Sequence, residues 1–427
     1  MATYYVSSGS GADSNNGTSY ATAKKTIAGA IAVATTTRDV IEIIDENTYY
    51  EDDLDLAGDR MIVAHTASHL GRPRISGLYS TIGTGSAFEL PVASTRATFI
   101  GLEISDFTGN PVSSSVFNVA NMSVARLHLS GCFIHDVTSL TSGTLSGSPG
   151  DPTTIDECVM FFSNSGGYGV SSLGNTHIKN CLITSSVPDG FELFTSFSSS
   201  YPNVTASFCT FMARSTAVSS YPIVKAGQVV NCIAAASGGI RYGIASDSHS
   251  YNLVYSSDTM QPFRNMAHDT NADPGKGDII NKAPQFIDSG TIGNGPEVAA
   301  NFKLQSTSPC INAGTDLGGV VTDISGNARP VKVWGPYSTA PSSSFANDFT
   351  LNLYGNESSQ HRKVLCNNDI GAYEYQDPEA IEGPICNVEQ VPFLTGQKGM
   401  STLRGRSTAY ILSMGSELSA LIQSGSG

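Results

Sequence analysis

The chain has 427 residues, of which only 14% are charged, and 37 acidic residues against 23 Lys and Arg give a formal net charge of -14. Such a surface repels nucleic-acid phosphates and anionic membranes, so neither is an expected partner. No apolar run reaches the roughly 18 residues of a membrane-spanning helix, and the start lacks the basic and apolar regions of a signal peptide. The sequence therefore predicts no membrane insertion and folding in a reducing cytosol.

Residues 1–45 predict a cap for one end of a repetitive fold. A strand at 4–7 precedes a polar loop, a short helix with Thr22 as the expected N-cap, and a strand at 40–44. Such a helix would cover the apolar end of a solenoid and shield its sheet edge. Further strands are predicted at 61–65 and 98–104. The helix has one apolar face, formed by Ala23, Ile27, Ala30, Ile31 and Ala34.

A short segment recurs seven times along the middle of the chain, at intervals of 21 to 30 residues. Each copy is too short for a helix and rich in β-branched, aromatic or cysteine residues, which predicts strands. A repeat of this length holds two or three strands and their turns, so one repeat forms one coil of a parallel β-helix. The copies are GLEI at 101, GCFI at 131, ECVM at 157, NCLI at 180, FCTF at 208, NCIA at 231 and NLVY at 252.

The second position of these segments predicts an inward column of stacked side chains. Because coils stack about 4.8 Å apart, cysteine would fill this column as a small hydrophobe. Disulfides and metal ligation are the alternatives, but five cysteines leave one unpaired, and Cys310, Cys366 and Cys386 lack zinc-type spacing. We therefore expect no metal and no cofactor. The column comprises Leu102, Cys132, Cys158, Cys181, Cys209, Cys232 and Leu253.

Both ends of the solenoid carry motifs of a known family. YYVSSGSGADSNNGTSYATAKKTIAGAI near the start resembles the entry module of the pectate-lyase-like superfamily. SPCINAGT at 308, DISGNARP at 323 and DIGAYEY at 369 resemble the closing module of the same group. The resemblance covers about residues 3 to 376. It implies an all-β, right-handed parallel β-helix over 46–376 and, by analogy with phage tailspike and decoration proteins, a homotrimer, but no single activity.

Two stretches depart from the family pattern. Residues 331–368 form an insertion with the only tryptophan, Trp334, which predicts either a lateral loop packed on the solenoid or a contact surface for another subunit. Residues 377–427 follow the expected end of the fold, and their basic residues contrast with the acidic body. We interpret this C-terminal extension as an element for trimerisation or docking.

Three clusters are candidates for catalysis. Hydrolysis of a glycosidic bond needs two carboxyls about 5 to 9.5 Å apart, and stacked coils supply such pairs. Asp106 and Asp136 each lie five residues after the first position of their segments, which predicts neighbours on adjacent coils. The second cluster is Asp189 and Glu192 with His177 and Lys179, and the third is Arg241 with Asp247.

Each cluster also has a plainer interpretation. Asp106 and Asp136 lie where strands end and could bond turn amides, while Asp189 precedes Gly190 in a turn signature. His177 and Lys179 alternate along a strand and could simply face water. The NTD, GHG and RIK segments of polygalacturonases and the calcium-binding Asp cluster and RxPxxR segment of pectate lyases are absent, whereas tailspike hydrolases have no portable motif. The sequence therefore leans against an enzyme; if the protein is one, it is a polysaccharide depolymerase.

These features together favour a virion structural protein. It would be a trimeric β-helix assembled in the host cytoplasm and displayed on the particle surface as a capsid decoration, tail spike or fibre. Its expected partners are other virion proteins and a host surface polysaccharide. The first alternative is an extracellular polysaccharide lyase or glycoside hydrolase, and the second is an exported bacterial β-helix adhesin.

Overall fold

The computed structural model consists almost entirely of short strands. It describes residues 1–375 apart from 57, 66–70, 79–84, 91–95, 109–114, 120–125, 142–144, 146–151, 164–167, 173, 186–191, 197–202, 214–218, 237–239, 257–260, 266–269, 289–299, 318–321, 326–328, 330–332, 339–349, 352–360, 366–367 and 374. Helical structure in this part is confined to α1 (Ile27–Val33) and two 3-10 helices, Tyr20–Thr22 and Ala300–Phe302. None of these helices is long and apolar enough to cross a membrane.

The strands follow one another in chain order. The first half comprises β1 Thr3–Val6, β2 Asp39–Ile43, β3 Thr48–Tyr49, β4 Leu54–Asp55, β5 Arg60–Ala64, β6 Arg74–Ser76, β7 Phe88–Leu90, β8 Arg96–Ile100, β9 Glu103–Phe107, β10 Phe117–Val119, β11 Arg126–Ser130, β12 Phe133–Val137, β13 Thr153–Asp156, β14 Val159–Phe162 and β15 Tyr168–Ser172. The second half comprises β16 Thr176–Lys179, β17 Leu182–Ser185, β18 Glu192–Ser196, β19 Val204–Ser207, β20 Thr210–Ala213, β21 Ser219–Val230, β22 Ile233–Ala236, β23 Ile240–Ser250, β24 Leu253–Ser256, β25 Gln261–Asn265, β26 Thr270–Asn271, β27 Ile279–Ile280, β28 Val333–Ser338, β29 Thr350–Leu351 and β30 His361–Leu365.

Strands of successive coils pair in parallel and build three sheets along the solenoid. The first sheet runs β1-β2-β5-β8-β11-β13-β16-β19-β21-β23-β25-β26, with β15 and β18 joined to it through β21, and its last pair is antiparallel. The second sheet runs β3-β6-β9-β12-β14-β17-β20-β22-β24-β27, and the third runs β4-β7-β10. This stacking confirms the predicted right-handed parallel β-helix. In the 331–368 insertion, β28, β30 and β29 form an antiparallel sheet; the 377–427 extension lies outside the described residues.

The repeated segment is the corner at which the chain passes from the first sheet to the second. The left-handed conformation of its first residue turns the chain sharply, so that the next residue points inward. This corner divides the strand predicted at 98–104 into β8 and β9. The corner residues have φ values between 51° and 72° and are Gly101, Gly131, Glu157, Asn180, Phe208, Asn231 and Tyr251.

The residue after each corner lies in the main core. Leu102 and the five cysteines of the column are fully buried, and the thiols are free. Burial raises the pKa of the Cys181 and Cys232 thiols, which keeps them protonated and unreactive. Stacked, buried thiols therefore contribute apolar packing between the coils.

The last position of the column differs from the prediction. Ile233 pairs with Leu253, so Asn252 and not Leu253 follows Cys232 in the column. The predicted register is one residue late because Asn252 resembles the Asn that begins other segments, whereas the corner falls at Tyr251. Asn252 is fully buried; its Oδ1 accepts a hydrogen bond from the backbone of Cys232 at 2.9 Å and its Nδ2 donates to the carbonyl of Val229 at 3.0 Å.

The N-terminal helix buries Ile27 and Ala30 in the main core. Its N-cap is Thr26, whose side chain accepts a hydrogen bond from the backbone of Gly29 at 2.9 Å. The predicted N-cap, Thr22, instead ends the first 3-10 helix. The helix starts later than predicted because the backbone of Lys24 bonds to Tyr5 and Ser7, both at 2.8 Å, and keeps the chain extended there.

The closing module lies along the outer face of the second sheet. The third residue of most repeated segments points outward, yet Phe133, Leu182, Ile233 and Leu253 are buried there. A strand covered on both faces is apolar at successive positions, which explains the short apolar runs of the repeat. The cover consists of side chains that follow the solenoid: Phe286, Phe302, Leu304, Cys310, Ile370, Ala372 and Tyr373.

Corner residues hold this cover in place. The Asn231 side chain donates to the carbonyl of Thr315 at 2.7 Å and accepts from its N–H at 2.9 Å. Asn180 donates to the carbonyl of Thr322 at 3.0 Å, and the Arg329 guanidinium lies 4.6 Å above the Phe208 ring. The covered part of the second sheet is therefore closed to ligands, and access to this sheet begins where the cover ends.

Candidate functional site

Asp106 and Asp136 occupy equivalent positions on adjacent coils. Ser105 pairs with His135, and the aspartate after each of them has a positive φ, 66° at Asp106 and 51° at Asp136. The structure thus brings this predicted pair together at the end of β9 and β12. Their spacing in the sequence is the signal, because one coil returns the chain to the same place.

The Asp106 carboxylate is held by three donors. It accepts hydrogen bonds from Arg74 at 2.7 Å, from the Ser76 hydroxyl at 2.5 Å and from the Ser105 hydroxyl at 2.8 Å. Burial favours the neutral carboxyl, but these hydrogen bonds and the charge of Arg74 outweigh it and lower the pKa of Asp106. An acid of lowered pKa cannot donate a proton at neutral pH, so Asp106 does not fit the general acid of a hydrolase.

His135 lies between two carboxylates. Its Nδ1 is 2.8 Å from Asp136 and its Nε2 is 3.1 Å from Glu103, whose carboxylate is also 3.4 Å from Nε of Arg74. Burial opposes the charge on the imidazole, but the hydrogen bonds to Glu103 and Asp136 outweigh it and raise the pKa of His135. The ring also stacks on Phe133, with centroids 4.5 Å apart. Both ring nitrogens are occupied, so His135 orients Glu103 and is not a free base.

We expect His135 to make stability depend on pH in one direction. A folded-state pKa above the unfolded value of about 6.5 means that the stabilisation is complete below that pH and is lost as the pH rises through the folded-state pKa. The free energy of unfolding of the wild type should therefore fall as the pH rises above about 6.5, and that of His135→Gln should fall less. Urea unfolding at a series of pH values measures both slopes; identical slopes would contradict a charged imidazole.

A cavity of about 390 Å³ opens beside Glu103, where the cover of the second sheet ends. Glu103, Phe133 and Val159 form its floor, as paired residues of three adjacent strands. The opposite wall comes from the closing module and the rim from the chain before β6. Its lining is Gly71, Arg72, Glu103, Phe133, Val159, Ile324, Ser325 and Tyr373.

The structure describes three of the four members of the second predicted cluster and places Glu192 on a different strand from His177 and Lys179. On the first sheet, the His177 ring bonds to Thr205 at 2.7 Å and Lys179 pairs with Asp156 at 2.8 Å. Glu192 belongs to β18, which pairs with β15. Asp189 lies outside the described residues, as does the side chain of Arg241 in the third cluster, while Asp247 is exposed on β23.

Glu192 nevertheless has an unusual environment. Its residue is 5% exposed, and burial raises the pKa of its carboxyl although a hydrogen bond with Thr195 and the charge of Lys225 act in the opposite direction. A carboxyl that keeps its proton to higher pH is the property required of a general acid.

Sequence reasoning missed Arg74, Glu103 and His135. One signal for Glu103 is present in the repeat: it is the charged residue at a third position that elsewhere holds Phe133, Val159 or Leu182. Its contacts with Arg74 and His135 come from neighbouring coils about 30 residues away, so no local motif records them. Within the described part of the chain, no group of His, Cys, Asp and Glu is arranged to hold a metal ion.

Comparison with solved structures finds β-helix enzymes at low similarity. Pectate lyase Pel9A aligns with 88% of this chain and 97% of its own, at 14% identity and a TM-score of 0.38. GH136 lacto-N-biosidase from Eubacterium ramulus aligns with 65% of this chain at 14% identity and a TM-score of 0.35. Its selenomethionine derivative aligns with 66% of this chain and 68% of its own, at 11% identity and a TM-score of 0.36.

The chain spans 55% of the length of the native lacto-N-biosidase. No protein-family profile and no curated protein matches the sequence. A likeness at these TM-scores does not extend to an activity, so any function has to be argued from the site.

Proposed function

We propose that the protein recognises a glycan, with one or two sugar residues seated in the cavity beside Glu103. The observation that carries the proposal is the composition of the cavity walls. Glu103, Arg72 and Ser325 supply polar groups, while the partly exposed Val159 and Ile324 supply apolar surface. A sugar ring has the matching chemistry, because its hydroxyls surround an apolar C–H face.

The size and charge of the cavity restrict the ligand. A volume of about 390 Å³ lies at the lower end of small-molecule sites and suits a short part of a glycan chain. The lining holds one charge of each sign, Glu103 and Arg72, so the cavity itself excludes neither, whereas the net charge of -14 repels long uronic-acid polymers. Neutral and amino sugars therefore fit better than polyanionic chains, and an amino group would meet the Glu103 carboxylate.

Glu103→Gln is expected to weaken glycan binding at least tenfold, because the amide loses the charge that accepts hydrogen bonds from hydroxyl and amino groups. Calorimetric titration with neutral, amino-sugar and uronic-acid oligosaccharides measures the affinity. Asp55→Asn is the matched control, because Asp55 is an exposed carboxylate on β4, away from the cavity. Equal affinities of wild type and Glu103→Gln would refute the cavity as the binding site.

A polysaccharide depolymerase is the second candidate, and the raised pKa of Glu192 favours it. Glu192 would donate its proton to the leaving oxygen as the glycosidic bond breaks, while a water molecule that gives its proton to a second carboxylate would supply the hydroxyl to the anomeric carbon. Release of reducing ends from the same glycans should then disappear in Glu192→Gln and persist in Glu89→Gln, which replaces another carboxyl with a raised pKa. Persistent cleavage by Glu192→Gln would exclude this assignment.

The homotrimer, the virion partners and the location on a virion surface stay predictions from the sequence. Sedimentation of the recombinant chain tests the trimer, and imaging of purified particles tests the location. A monomer without particle association would contradict both.

A further inference from the structure

Tyr20 is a partly exposed aromatic side chain at the N-terminal end of the solenoid. The residue is 52% exposed and begins the first 3-10 helix. Its ring nevertheless has two aromatic neighbours: it lies edge-on to Tyr5, with centroids 4.6 Å apart, and to His65, with centroids 5.6 Å apart. Tyr20 is therefore part of a small aromatic group, and about half of it remains accessible to a ligand.

The position of this ring is fixed before any ligand arrives. Ser19 and Thr22 form a reciprocal capping box around the 3-10 helix, with their hydroxyls 2.8 Å apart. The Tyr20 hydroxyl lies 3.4 Å from Nδ1 of His65. A tyrosine held in this way loses little conformational entropy on binding, which favours a recognition role.

Tyr20 lies beside the outer face of the first sheet. Tyr5, Glu42 and Val63 are directly opposed on β1, β2 and β5, so their side chains share this face. The Glu42 carboxylate also contacts Nδ1 of His65. The patch therefore combines an exposed aromatic ring with a carboxylate, an imidazole and an aliphatic side chain.

We propose that Tyr20, Tyr5, Glu42 and His65 form a second carbohydrate-binding subsite, which takes one sugar ring of a longer glycan chain. The sugar stacks its C–H face on Tyr20, because the ring face carries the negative part of the aromatic quadrupole. Glu42 accepts hydrogen bonds from the sugar hydroxyls. The ligand class rests on the proposed function, but the subsite is separate from the cavity, since it lies on the first sheet and the cavity on the second.

A polar row runs along the same face beside the subsite. The row in register with Tyr5, Glu42 and Val63 continues with Ile100, and two residues before it a parallel row of paired residues holds Thr98, His128, Thr154, His177 and Thr205, all of them partly exposed. Within the row, the imidazole of His128 is hydrogen-bonded to the hydroxyl of Thr154, and that of His177 to the hydroxyl of Thr205, each at 2.7 Å. With coils about 4.8 Å apart, this row offers a hydrogen-bonding group at every step to a glycan chain that extends beyond Tyr20.

Three variants test the subsite. Tyr20→Ala is expected to bind the long glycan about tenfold more weakly, because one stacking contact is lost. Tyr20→Phe keeps the ring and should bind like wild type, and Glu42→Gln should bind several-fold more weakly. Tyr50→Ala is the control, because Tyr50 is 54% exposed and follows β3 of the second sheet. Affinity electrophoresis in gels that contain the polysaccharide measures the binding, and circular dichroism checks the fold.

The outcomes separate the subsite from the cavity. Weaker binding by Tyr20→Ala with unchanged binding by Glu103→Gln would establish the subsite and reject the cavity. Unchanged binding by Tyr20→Ala with weaker binding by Glu103→Gln would overturn the subsite and leave the cavity standing. Binding of a protein or peptide at Tyr20 without any glycan would overturn the subsite as well, and a wild type that binds no glycan would overturn both proposals.

Discussion

Asn231→Ala is expected to lower the free energy of unfolding by about 3 to 5 kcal/mol. The substitution removes both hydrogen bonds to Thr315: its N–H loses the Asn231 acceptor, while its carbonyl keeps the hydrogen bond from Asn368 Nδ2 at 3.1 Å. It also places alanine at a φ of 56°, which costs about 1 to 2 kcal/mol. Urea unfolding followed by circular dichroism measures the loss.

Two further variants separate these contributions. Asn231→Gly tolerates the left-handed backbone, so it should lose the hydrogen bonds alone and be about 1 kcal/mol more stable than Asn231→Ala. Asn180→Ala removes one hydrogen bond, the one to Thr322, at a similar φ and should cost less than Asn231→Ala. A loss below about 1 kcal/mol for Asn231→Ala would show that the corner does not hold the cover on the second sheet.

Asp278→Ala is expected to cost about 3 to 5 kcal/mol and to open the C-terminal end of the cysteine column. The Asp278 side chain is fully buried and accepts hydrogen bonds from the backbone of Asn252 at 2.8 Å and of Gly275 at 2.6 Å. It also lies 2.7 Å from Nδ1 of His249. Removing the carboxylate takes a hydrogen-bond acceptor away from these buried groups. Because Asn252 follows Cys232 in the column, the loss is expected to loosen the column at that end.

Thiol labelling gives a local readout of this prediction. In the wild type, burial and the raised pKa of Cys232 protect its thiol from iodoacetamide. In Asp278→Ala, Cys232 should react sooner than Cys132, which lies four coils away in the column, and mass spectrometry of the labelled peptides shows the order. Asp273→Ala, an exposed aspartate nearby, should leave both rates unchanged. Simultaneous labelling of both cysteines would mean that the column opens as a whole.

The coil was predictable because its determinants are local. Four consecutive residues are enough to recognise each corner. A residue that tolerates the left-handed conformation, such as Gly131 or Asn180, comes first, and a small inward residue, such as Cys132 or Cys181, follows it. Where the sequence pattern predicts the wrong register, the cause is also local. Asn252 resembles the Asn that begins other segments although Tyr251 has the left-handed conformation, so the predicted register is wrong by one residue at the last of the seven segments.

The candidate site was predictable only in part. Asp106 and Asp136 share a place in the repeat, and the spacing of the segments brings them to adjacent coils. Their roles did not follow from spacing, because the pKa of Asp106 depends on Arg74, a residue of the preceding coil. Glu103 and His135 were missed for the same reason: each is ordinary in its own segment, and their contact exists only after the coils stack.

The sequence by itself determined a stack of parallel coils with an inward column, because corner geometry and side-chain alternation act within one repeat. Tertiary structure alone decided which outer face is open. The hydrogen bonds of Asn231 to Thr315 and of Asn180 to Thr322 join residues 84 and 142 positions apart and lay the closing module on the second sheet. That cover ends at Ile324 and Tyr373, and the cavity beside Glu103 exists because two distant parts of the chain meet there.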